Sequence, residues 1–353
     1  MKKKINVAVV GAGAVAQNVH IPIYLTNRYV HLSAIVDSNL DRVKKVAKKF
    51  HVKKYYQSCD ELFKEEAIDA ISLCTPPNTH EEIVLKAFDN GAHVLCEKPL
   101  TTTVKSGVRM VNAAKSRKKL LTLGCHRRFS PNYEMAKKNI LEGRLGSVYC
   151  VEDHFLEPHP LFGWAKSPWY IEPGIGGVIG DVGPHVFDMM NYIFGDYPVA
   201  VSAFSSTYLD SEVEELCTFI VEYPQKKLGI GTISWLSSHV VEFTNIYGTG
   251  RDLHISPKFF LRTNPSHVEE ITLLRAALES VATMKFPKIS LIHTERGNPY
   301  LGEINGFVEQ VRTENFSMLN ALNALAVLEA CEATRESCDR RGRVEIPSPE
   351  KLI

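Results

Sequence analysis

Three short motifs in this chain carry residue types that could do chemistry together. They are Gly11-Ala-Gly13-Ala-Val-Ala16, then Cys96-Glu97-Lys98-Pro99, then Asp181-Val-Gly-Pro-His185. A glycine turn of the first kind can hold a dinucleotide pyrophosphate at a helix N-terminus. Oxidation of a secondary alcohol by a nicotinamide needs a base at the hydroxyl oxygen while hydride leaves the carbon. In this order the motifs predict a nicotinamide-dependent dehydrogenase with Lys98 and His185 at the reacting hydroxyl.

The sequence leaves two candidates for the proton acceptor. His185 has an unperturbed pKa near neutrality, and Asp181, four residues earlier, could fix the imidazole tautomer if the local turn brings them together. Lys98 would bind the same oxygen and stabilise a developing alkoxide, or would accept the proton itself if its pKa is lowered. A purely structural interpretation stays open, in which Asp181 caps a helix near Pro184 and His185 packs in the interior.

The first motif has the features of a phosphate-binding turn. Gly11 would allow the sharp turn out of a strand, Gly13 would let the backbone approach a pyrophosphate, and Ala16 is small enough where helix meets strand. Alone the pattern is weak evidence, since such turns also occur for packing. The turn residues assigned to the cofactor are Gly11, Gly13, Ala14, Val15 and Ala16.

An acidic residue follows at the end of the second predicted strand. Asp37 could bind a ribose 2′-hydroxyl and would repel a 2′-phosphate, which favours NAD over NADP. Arg42 keeps NADP possible, and Ser38 is included in the predicted cofactor site. In the alternative interpretation Asp37 only caps its own turn with Ser38 and Asn39.

Length and charge narrow the class of protein. A chain of 353 residues is long enough for two domains, because single cores rarely grow beyond about 250–300 residues. Lys plus Arg number 41 and Asp plus Glu 40, so no net field attracts nucleic acid or an acidic membrane, and a small-molecule partner is favoured. The eight cysteines are scattered without a CxxC pair, which predicts reduced thiols and a cytoplasmic protein. No export signal or membrane-spanning run is predicted.

Short apolar runs alternate with helical patterns in the first third of the chain. The predicted buried strands are Ile5 to Val10, His31 to Val36, Ala70 to Cys74, His93 to Cys96 and Leu120 to Gly124. The clearest helix between them runs from Thr79 to Asn90 and ends at Gly91. This alternation predicts a doubly wound parallel sheet, which we assign to an NAD(P)-binding domain of residues 1–125.

The remaining residues, 126–353, are predicted to form a substrate-binding and oligomerisation domain of α+β type on an open, mainly antiparallel sheet. Its predicted strands are Ser147 to Phe155, Val199 to Tyr208, Glu215 to Tyr223, Lys227 to Leu236 and Val240 to Gly248. Its predicted helices are Pro131 to Leu145, Pro184 to Phe194 and Ser317 to Ser337. Apolar spacing suggests another helix within residues 267–292, of unclear role.

The motifs as a set resemble the Gfo/Idh/MocA oxidoreductase family over nearly the whole chain. In family order they are Gly11 to Ala16, His20-Ile-Pro22, Cys74-Thr-Pro-Pro-Asn-Thr-His80, the run from Gly91 to Pro99, and Gly177 to Asp188. The resemblance implies an α/β protein with an N-terminal Rossmann domain and a C-terminal open sheet whose face mediates a homodimer or homotetramer. It implies activity on inositols, sugars or sugar derivatives, and a cis Lys98–Pro99 bond.

The resemblance also assigns residues. It places Glu97 and Lys98 at the nicotinamide end of the site, and Asp181, His185 and Asp188 on the substrate side. Further cofactor contacts that it implies are Thr75, Pro76, Asn78, His80 and His126. His126 stands where the family commonly has asparagine, which puts its nicotinamide contact in doubt.

The substrate side is less well determined by the sequence. Arg128 could anchor a substrate hydroxyl or phosphate, and the segment from Glu157 to Tyr170 joins aromatic and polar residues in a predicted loop over the cleft. From this region His154, Trp164 and Tyr170 are assigned to the substrate, although the aromatic rings could simply pack the loop. Asp153, His154, Glu157 and His159 match no standard metal site, so no metal is predicted.

The favoured function is oxidation of a hydroxyl of a sugar, polyol or inositol, with NAD as cofactor. Two other functions stay open: an enzyme that retains NAD during glycoside cleavage or aldose oxidoreduction, and a non-catalytic NAD-binding regulator. The presence of Lys98, Asp181 and His185 argues against the regulator.

Overall fold

A parallel sheet in doubly wound order makes up the first third of the chain. The computed structural model describes residues 4–160, 167–209, 212–256, 290–292, 298–315 and 319–353. The strands of this sheet are β1 (Ile5–Val10), β2 (Val30–Val36), β3 (Lys54–Tyr56), β4 (Ala70–Leu73), β5 (His93–Glu97) and β6 (Leu121–Gly124). They lie in the order β3-β2-β1-β4-β5-β6, with every neighbouring pair parallel. Their carboxyl ends therefore meet along one edge.

Helices cover this sheet and begin at polar caps. They are α1 (Ile21–Thr26), α2 (Leu40–Phe50), α3 (Cys59–Glu65), α4 (His80–Asp89) and α5 (Val104–Arg117). The side chains of Asn39, Ser58 and Thr103 accept hydrogen bonds from backbone N–H groups in the first turns of α2, α3 and α5. Residues 16–20, directly after the glycine turn, form a π-helical turn that leads into α1.

The second sheet is mixed and mainly antiparallel. Its strands are β7 (Val148–Pro158), β8 (Ala200–Ser206), β9 (Leu216–Tyr223), β10 (Lys227–Ser234), β11 (Leu236–Gly248), β12 (Leu253–Ile255), β13 (Ser290–Ile292) and β14 (Val344–Glu345). They lie in the order β13-β12-β11-β7-β10-β9-β8-β14, and the pairs β7–β10 and β12–β13 are parallel. The accompanying helices are α6 (Pro131–Leu141), α7 (Gly177–Asp181), α8 (Gly183–Phe194), α9 (Pro299–Thr313) and α10 (Leu319–Arg340).

The two faces of the second sheet differ in exposure. On β9, Cys217, Phe219 and Val221 are buried, whereas Ile220 is 48% exposed. Strand pairing places Ile220 on the same face as Glu152 and His154 of β7, and Phe219 on the same face as Asp153 and Phe155. The inner face therefore belongs to the core with α8 and α10, and the other face is open.

The last two helices return to the first sheet. Ile304, Phe307, Val308 and Val311 of α9 join the apolar core that includes Val7 and Val9 of β1. In α5, a Cβ on Gly107 would lie 2.8 Å from Leu328 of α10, so the absence of a side chain lets these two helices approach closely. Both sheets thus share one packed structure, and no helix in the described ranges is long and apolar enough to span a bilayer.

The predicted fold class is confirmed, and most of the predicted elements lie within a few residues of the observed ones. The predicted strand at Val240 begins earlier, at Leu236, and continues through a register shift. Strands β3, β12, β13 and β14 and helices α7 and α9 were not predicted. Strand β3 is too short and too exposed to show a hydrophobic pattern. Residues 267–289 of the suggested helix lie outside the described residues, and its last three residues form strand β13 and not a helix. The domain boundary at 125/126 stays a prediction.

The cysteines and one peptide bond can be compared with the predictions. All eight cysteines are free thiols, and Cys59, Cys96, Cys125, Cys217 and Cys331 are buried. The Lys98–Pro99 peptide bond is cis, as the family resemblance implied.

We predict that Gly11→Ala strongly destabilises the protein. Gly11 has φ of +94°, and an added Cβ would lie 2.5 Å from the Cys74 carbonyl oxygen. The backbone conformation should cost roughly 1–2 kcal/mol and the overlap with Cys74 a further ~1–3 kcal/mol. Urea unfolding measures both effects. Gly143→Ala is the control because φ there is also positive, at +70°, but nothing lies within 4 Å of the added Cβ. Equal losses of unfolding free energy in the two variants would show that the close approach to Cys74 does not matter.

Candidate functional site

The glycine turn lies at the carboxyl edge of the first sheet. The Gly11 N–H donates to the Val36 carbonyl at 2.7 Å, and the Cys74 N–H donates to the Val10 carbonyl at 2.7 Å, which joins β1, β2 and β4 at this point. A Cβ on Gly13 would have no heavy atom within 4 Å. The backbone therefore borders open space at the position where a dinucleotide pyrophosphate is held in folds of this type.

Asp37 ties the glycine turn to the end of β2. Its Oδ2 accepts from the Ala12 N–H at 2.8 Å and its Oδ1 accepts from the Asn39 N–H at 2.8 Å. The Arg42 guanidinium lies 3.3 Å from Oδ2, with its side chain about half exposed. Asn39, and not Ser38, caps α2. Asp37 therefore does cap its own turn, as the structural interpretation held. Its Oδ2 accepts two hydrogen bonds, whereas Oδ1 accepts one and keeps a lone pair for a further donor.

The loop after β4 forms a wall beside this edge. Thr75 and Thr79 share a hydrogen bond of 2.7 Å between their hydroxyls, while Pro76 and Asn78 are exposed. His80 is fully buried, with Nε2 bonded to the Thr75 carbonyl at 2.8 Å and Nδ1 to the Pro99 carbonyl at 3.1 Å. Burial lowers the pKa of His80, and a neutral imidazole has one N–H, so it donates to only one of these two carbonyls. The assignment of His80 to the cofactor is therefore corrected: it joins two loops and does not reach the cleft.

A histidine that sequence reasoning left unassigned holds Glu97. His20 bonds through Nε2 to Glu97 Oε1 at 2.8 Å and through Nδ1 to the Ser72 hydroxyl at 2.7 Å. Burial would raise the pKa of Glu97, but the hydrogen bond from His20 and the charge of Lys98 outweigh burial and lower it. Glu97 is thus an ionised, fixed carboxylate at the end of β5. The signal in the sequence was the His20-Ile-Pro22 motif.

Lys98 and Asp181 form a buried ion pair between the two halves of the chain. The Lys98 Nζ donates to the Asp181 carboxylate and, at 3.0 Å, to the Asp181 backbone carbonyl. Trp235 Nε1 donates to the other carboxylate oxygen at 3.3 Å. Burial would lower the pKa of Lys98, but the adjacent Asp181 carboxylate outweighs burial and raises it above its ordinary value. Lys98 is therefore an ammonium, a hydrogen-bond donor and not a base, at neutral pH.

The expected contact between Asp181 and His185 is not present. Helix α7 ends at Asp181 and α8 begins at Gly183, so the two residues do not share one helix face, and the carboxylate points to Lys98 and Trp235. Within the described residues, His185 Nδ1 is buried and has no hydrogen-bond partner. Burial, with Lys98 and His126 nearby, lowers the pKa of His185 well below its usual value. The imidazole is neutral and can accept a proton.

His126 and Tyr300 complete this part of the site. The two rings are stacked with centroids 4.0 Å apart, and the His126 ring meets the His185 ring edge-on at 5.2 Å. Burial lowers the pKa of His126 to about 3, although Glu97 opposes the shift. Tyr300 is at the start of α9, and sequence reasoning missed it because nothing nearby in sequence links it to the other motifs.

The two arginines after β6 are both occupied by carboxylates. Arg128 Nε lies 2.9 Å from Asp188 Oδ2, and Asn323 donates to the same carboxylate at 2.7 Å. Asp188 is 1% exposed. Arg127, which was not predicted, makes two bonds of 2.9 Å to Asp153 and a third, of 3.3 Å, to the His185 carbonyl. The assignment of Asp188 to the substrate is therefore corrected: it holds Arg128 and is closed to a ligand.

Of the three remaining residues assigned to the substrate, one lies near the site, one points away from it and one is not described. Tyr170 stacks on Trp169 at 4.1 Å, and its pKa is raised by burial and by Asp181, so it lies at the Lys98–Asp181 pair as expected. His154 is on the open face of the second sheet, where it bonds to Glu152 at 3.0 Å and stacks on Phe243. The strand alternates sides, so His154 points away from the site, and its assignment is wrong. Trp164 lies outside the described residues.

Comparison with known proteins supports this geometry. Residues 5–125 match the Gfo/Idh/MocA model described as an oxidoreductase family with an NAD-binding Rossmann fold, and residues 133–254 match the Gfo/Idh/MocA C-terminal domain. The D-glucoside 3-dehydrogenase of Escherichia coli is 28% identical over 213 residues, 60% of each chain. The myo-inositol 2-dehydrogenase of Thermotoga maritima is 32% identical over 182 residues, 52% of this chain and 53% of the relative.

A solved structure agrees over the full length. A putative myo-inositol dehydrogenase from Sinorhizobium meliloti superposes with a TM-score of 0.80 at 20% identity, covering 98% of this chain and 100% of the other. At that identity the likeness shows the fold alone, and the sequence matches span about half to 60% of the curated relatives. With both domain models matched in order, the chain belongs to the Gfo/Idh/MocA oxidoreductase family.

Proposed function

We propose that this protein is an NAD-dependent dehydrogenase that oxidises a secondary hydroxyl of a sugar, polyol or inositol, reversibly. The proposal rests on a charged donor and a neutral acceptor that lie close together. Asp181 keeps Lys98 charged, while His185 is neutral and has a free ring nitrogen. A hydroxyl between them would meet one donor and one acceptor. The relatives named above act on glucosides and inositols, which supports this class of substrate.

The residues present fit the cofactor. The open space at Gly13 and the Asp37 carboxylate suit the pyrophosphate and the adenosine ribose. We assign Thr75, Glu97, Lys98 and His126 to the cofactor, with Glu97 and Lys98 at its nicotinamide end. When bound, NAD supplies the hydride acceptor.

Side chains of the protein bind the substrate hydroxyl and accept its proton. Lys98 donates a hydrogen bond to the substrate oxygen and stabilises the negative charge that develops there. His185 accepts the hydroxyl proton at Nε2, because its Nδ1 is buried and no described protein group bonds to either ring nitrogen. Asp181 keeps Lys98 charged, and Arg127 holds the backbone of His185 through its carbonyl. The geometry favours His185 over Lys98 as the acceptor, because the pKa of Lys98 is raised.

We predict that His185→Ala lowers kcat by about 100-fold to 10,000-fold, the range of general base catalysis. In the wild type, kcat for a neutral polyol should be constant from pH 7 to 10. The pKa of His185 is lowered from 6.5, so the base is already free, and the pKa of Lys98 is raised from 10.5, so the ammonium persists. NADH absorbance measures the rate. His31→Ala is the control, since His31 is exposed at the opposite edge of the sheet. A rise or fall of kcat centred between pH 8 and 9 would contradict the assignment of His185 as the base and Lys98 as the charged donor.

We predict that Asp37→Asn changes cofactor choice. A carboxylate at this position repels a 2′-phosphate by about 1–4 kcal/mol at close range, so its neutral counterpart should reduce the preference for NAD over NADP by roughly tenfold. Lost hydrogen bonds to Ala12 or Asn39 weaken both cofactors and cancel in the ratio of dissociation constants. Asp41→Asn, an exposed acidic residue in the first turn of α2, should leave the ratio unchanged. The idea fails if both variants give the wild-type ratio.

We also propose that the open sheet face joins copies of this chain into a homodimer or homotetramer. Phe204, Ile220 and Leu228 on this face are 72%, 48% and 41% exposed. Ile220→Asp should therefore shift the mass in sedimentation analysis toward the monomer. Leu141→Asp is the control, because Leu141 is 76% exposed at the end of α6. A wild-type protein that is monomeric at micromolar concentration would end this proposal.

A further inference from the structure

Glu157 lies on the inner face of β7, near the Lys98–Asp181 pair. Phe155, two residues earlier and so on the same face, contacts the His185 ring at 5.6 Å between centroids. The next residue, Pro158, pairs with Leu236, which follows the Trp235 that donates to Asp181. The strand thus carries Glu157 from the side of His185 toward the Lys98–Asp181 pair.

The Glu157 carboxylate has no partner of its own. Among the described residues it makes neither a hydrogen bond nor an ion pair, whereas four other carboxylates around the site are each held by a cation or an imidazole. Those pairs are Glu97–His20, Asp181–Lys98, Asp153–Arg127 and Asp188–Arg128. Glu157 is partly exposed and therefore has hydrogen-bonding capacity left for a ligand, whereas Glu303, which also lacks a partner, is only 1% exposed.

The charged groups that act on Glu157 are two carboxylates, each in an ion pair, and the Lys98 ammonium. Asp181, Glu242 and the Tyr170 hydroxyl face it from α7, β11 and the segment before α7, and Lys98 is the cation that opposes them. Burial, then Asp181, raises the pKa of Glu157 to about 7. A cation bound beside Glu157 would favour its ionised form, and an anion would meet a site whose own cations are already paired.

We infer that Glu157 selects the substrate by charge, favouring a ring polyol that carries a protonated amine and rejecting one that carries a carboxylate or phosphate. The inference rests on the proposed function in that it takes the same cleft to hold a polyol. A protonated amine would give Glu157 the partner that the protein does not supply. A phosphate would be repelled by Glu157 and Asp181 together.

Binding to the enzyme–NADH complex tests this without turnover. Titration calorimetry at pH 7.5 would compare matched neutral, amino and carboxylate compounds: glucose, glucosamine and glucuronate, with inositol and an aminocyclitol beside them. In the wild type the amine should bind more tightly than its neutral match. Glu157→Gln should reduce that preference about tenfold and improve binding of the carboxylate. Glu157→Asp should retain the preference, because it retains the charge.

Glu152→Gln is the matched control, because Glu152 is on the same strand but on the open face, bonded to His154 and Asn245. It should leave the preference as in the wild type. If no amine binds more tightly than its neutral match, or if Glu157→Gln leaves the preference intact, the inference is overturned. The proposed function fails in a different way, when NAD binds but no polyol in the panel is oxidised.

Discussion

The buried ion pair between Lys98 and Asp181 is the interaction on which the candidate site depends. Lys98 follows β5 of the first sheet, and Asp181 ends α7, which packs with the second sheet, so the pair joins the two halves of the chain at the site. Without its partner a buried lysine tends to lose its proton, and breaking a buried pair by removal of one member typically costs ~3–5 kcal/mol. The same contact therefore fixes the geometry of the site and the charge of its donor.

Burial sets the other charges around this pair. It lowers the pKa of both His126 and His185, so two imidazoles remain neutral beside an ammonium. It raises the pKa of Glu303 on α9 well above its usual range, and within the described residues both oxygens of this side chain lack a partner, so α9 closes the rear of the site with a neutral acid. Glu97 stays ionised because the hydrogen bond from His20 lowers its pKa. A charged donor beside a neutral acceptor is the result.

Local patterns in the sequence predicted the sheets and the three motifs, because short apolar runs and glycine turns are decided by nearby residues. Contacts between distant segments could not be predicted in this way. Tyr300 reaches His126 only because α9 packs on the first sheet. His154 lies on the open face and Glu157 on the inner face because side chains alternate along a strand, and only the pairing of β7 with β10 shows which face is inside. Likewise, because the chain breaks between α7 and α8, Asp181 pairs with Lys98 and not with His185.

The positions of Asp37 and Glu157 suggest that the cofactor and the substrate are selected in the same way, by repulsion of a negative charge. Among the described residues around the site, Arg127 and Arg128 are paired with Asp153 and Asp188, so neither guanidinium is free to bind a phosphate. On the cofactor side Asp37 lies 3.3 Å from a half-exposed Arg42, and on the substrate side Glu157 forms no ion pair within the described part of the chain. In the proposed function each carboxylate excludes an extra phosphate, one on the ribose and one on the substrate. Selection by exclusion needs no shape match to a particular sugar, which fits a cleft whose other groups address only a hydroxyl.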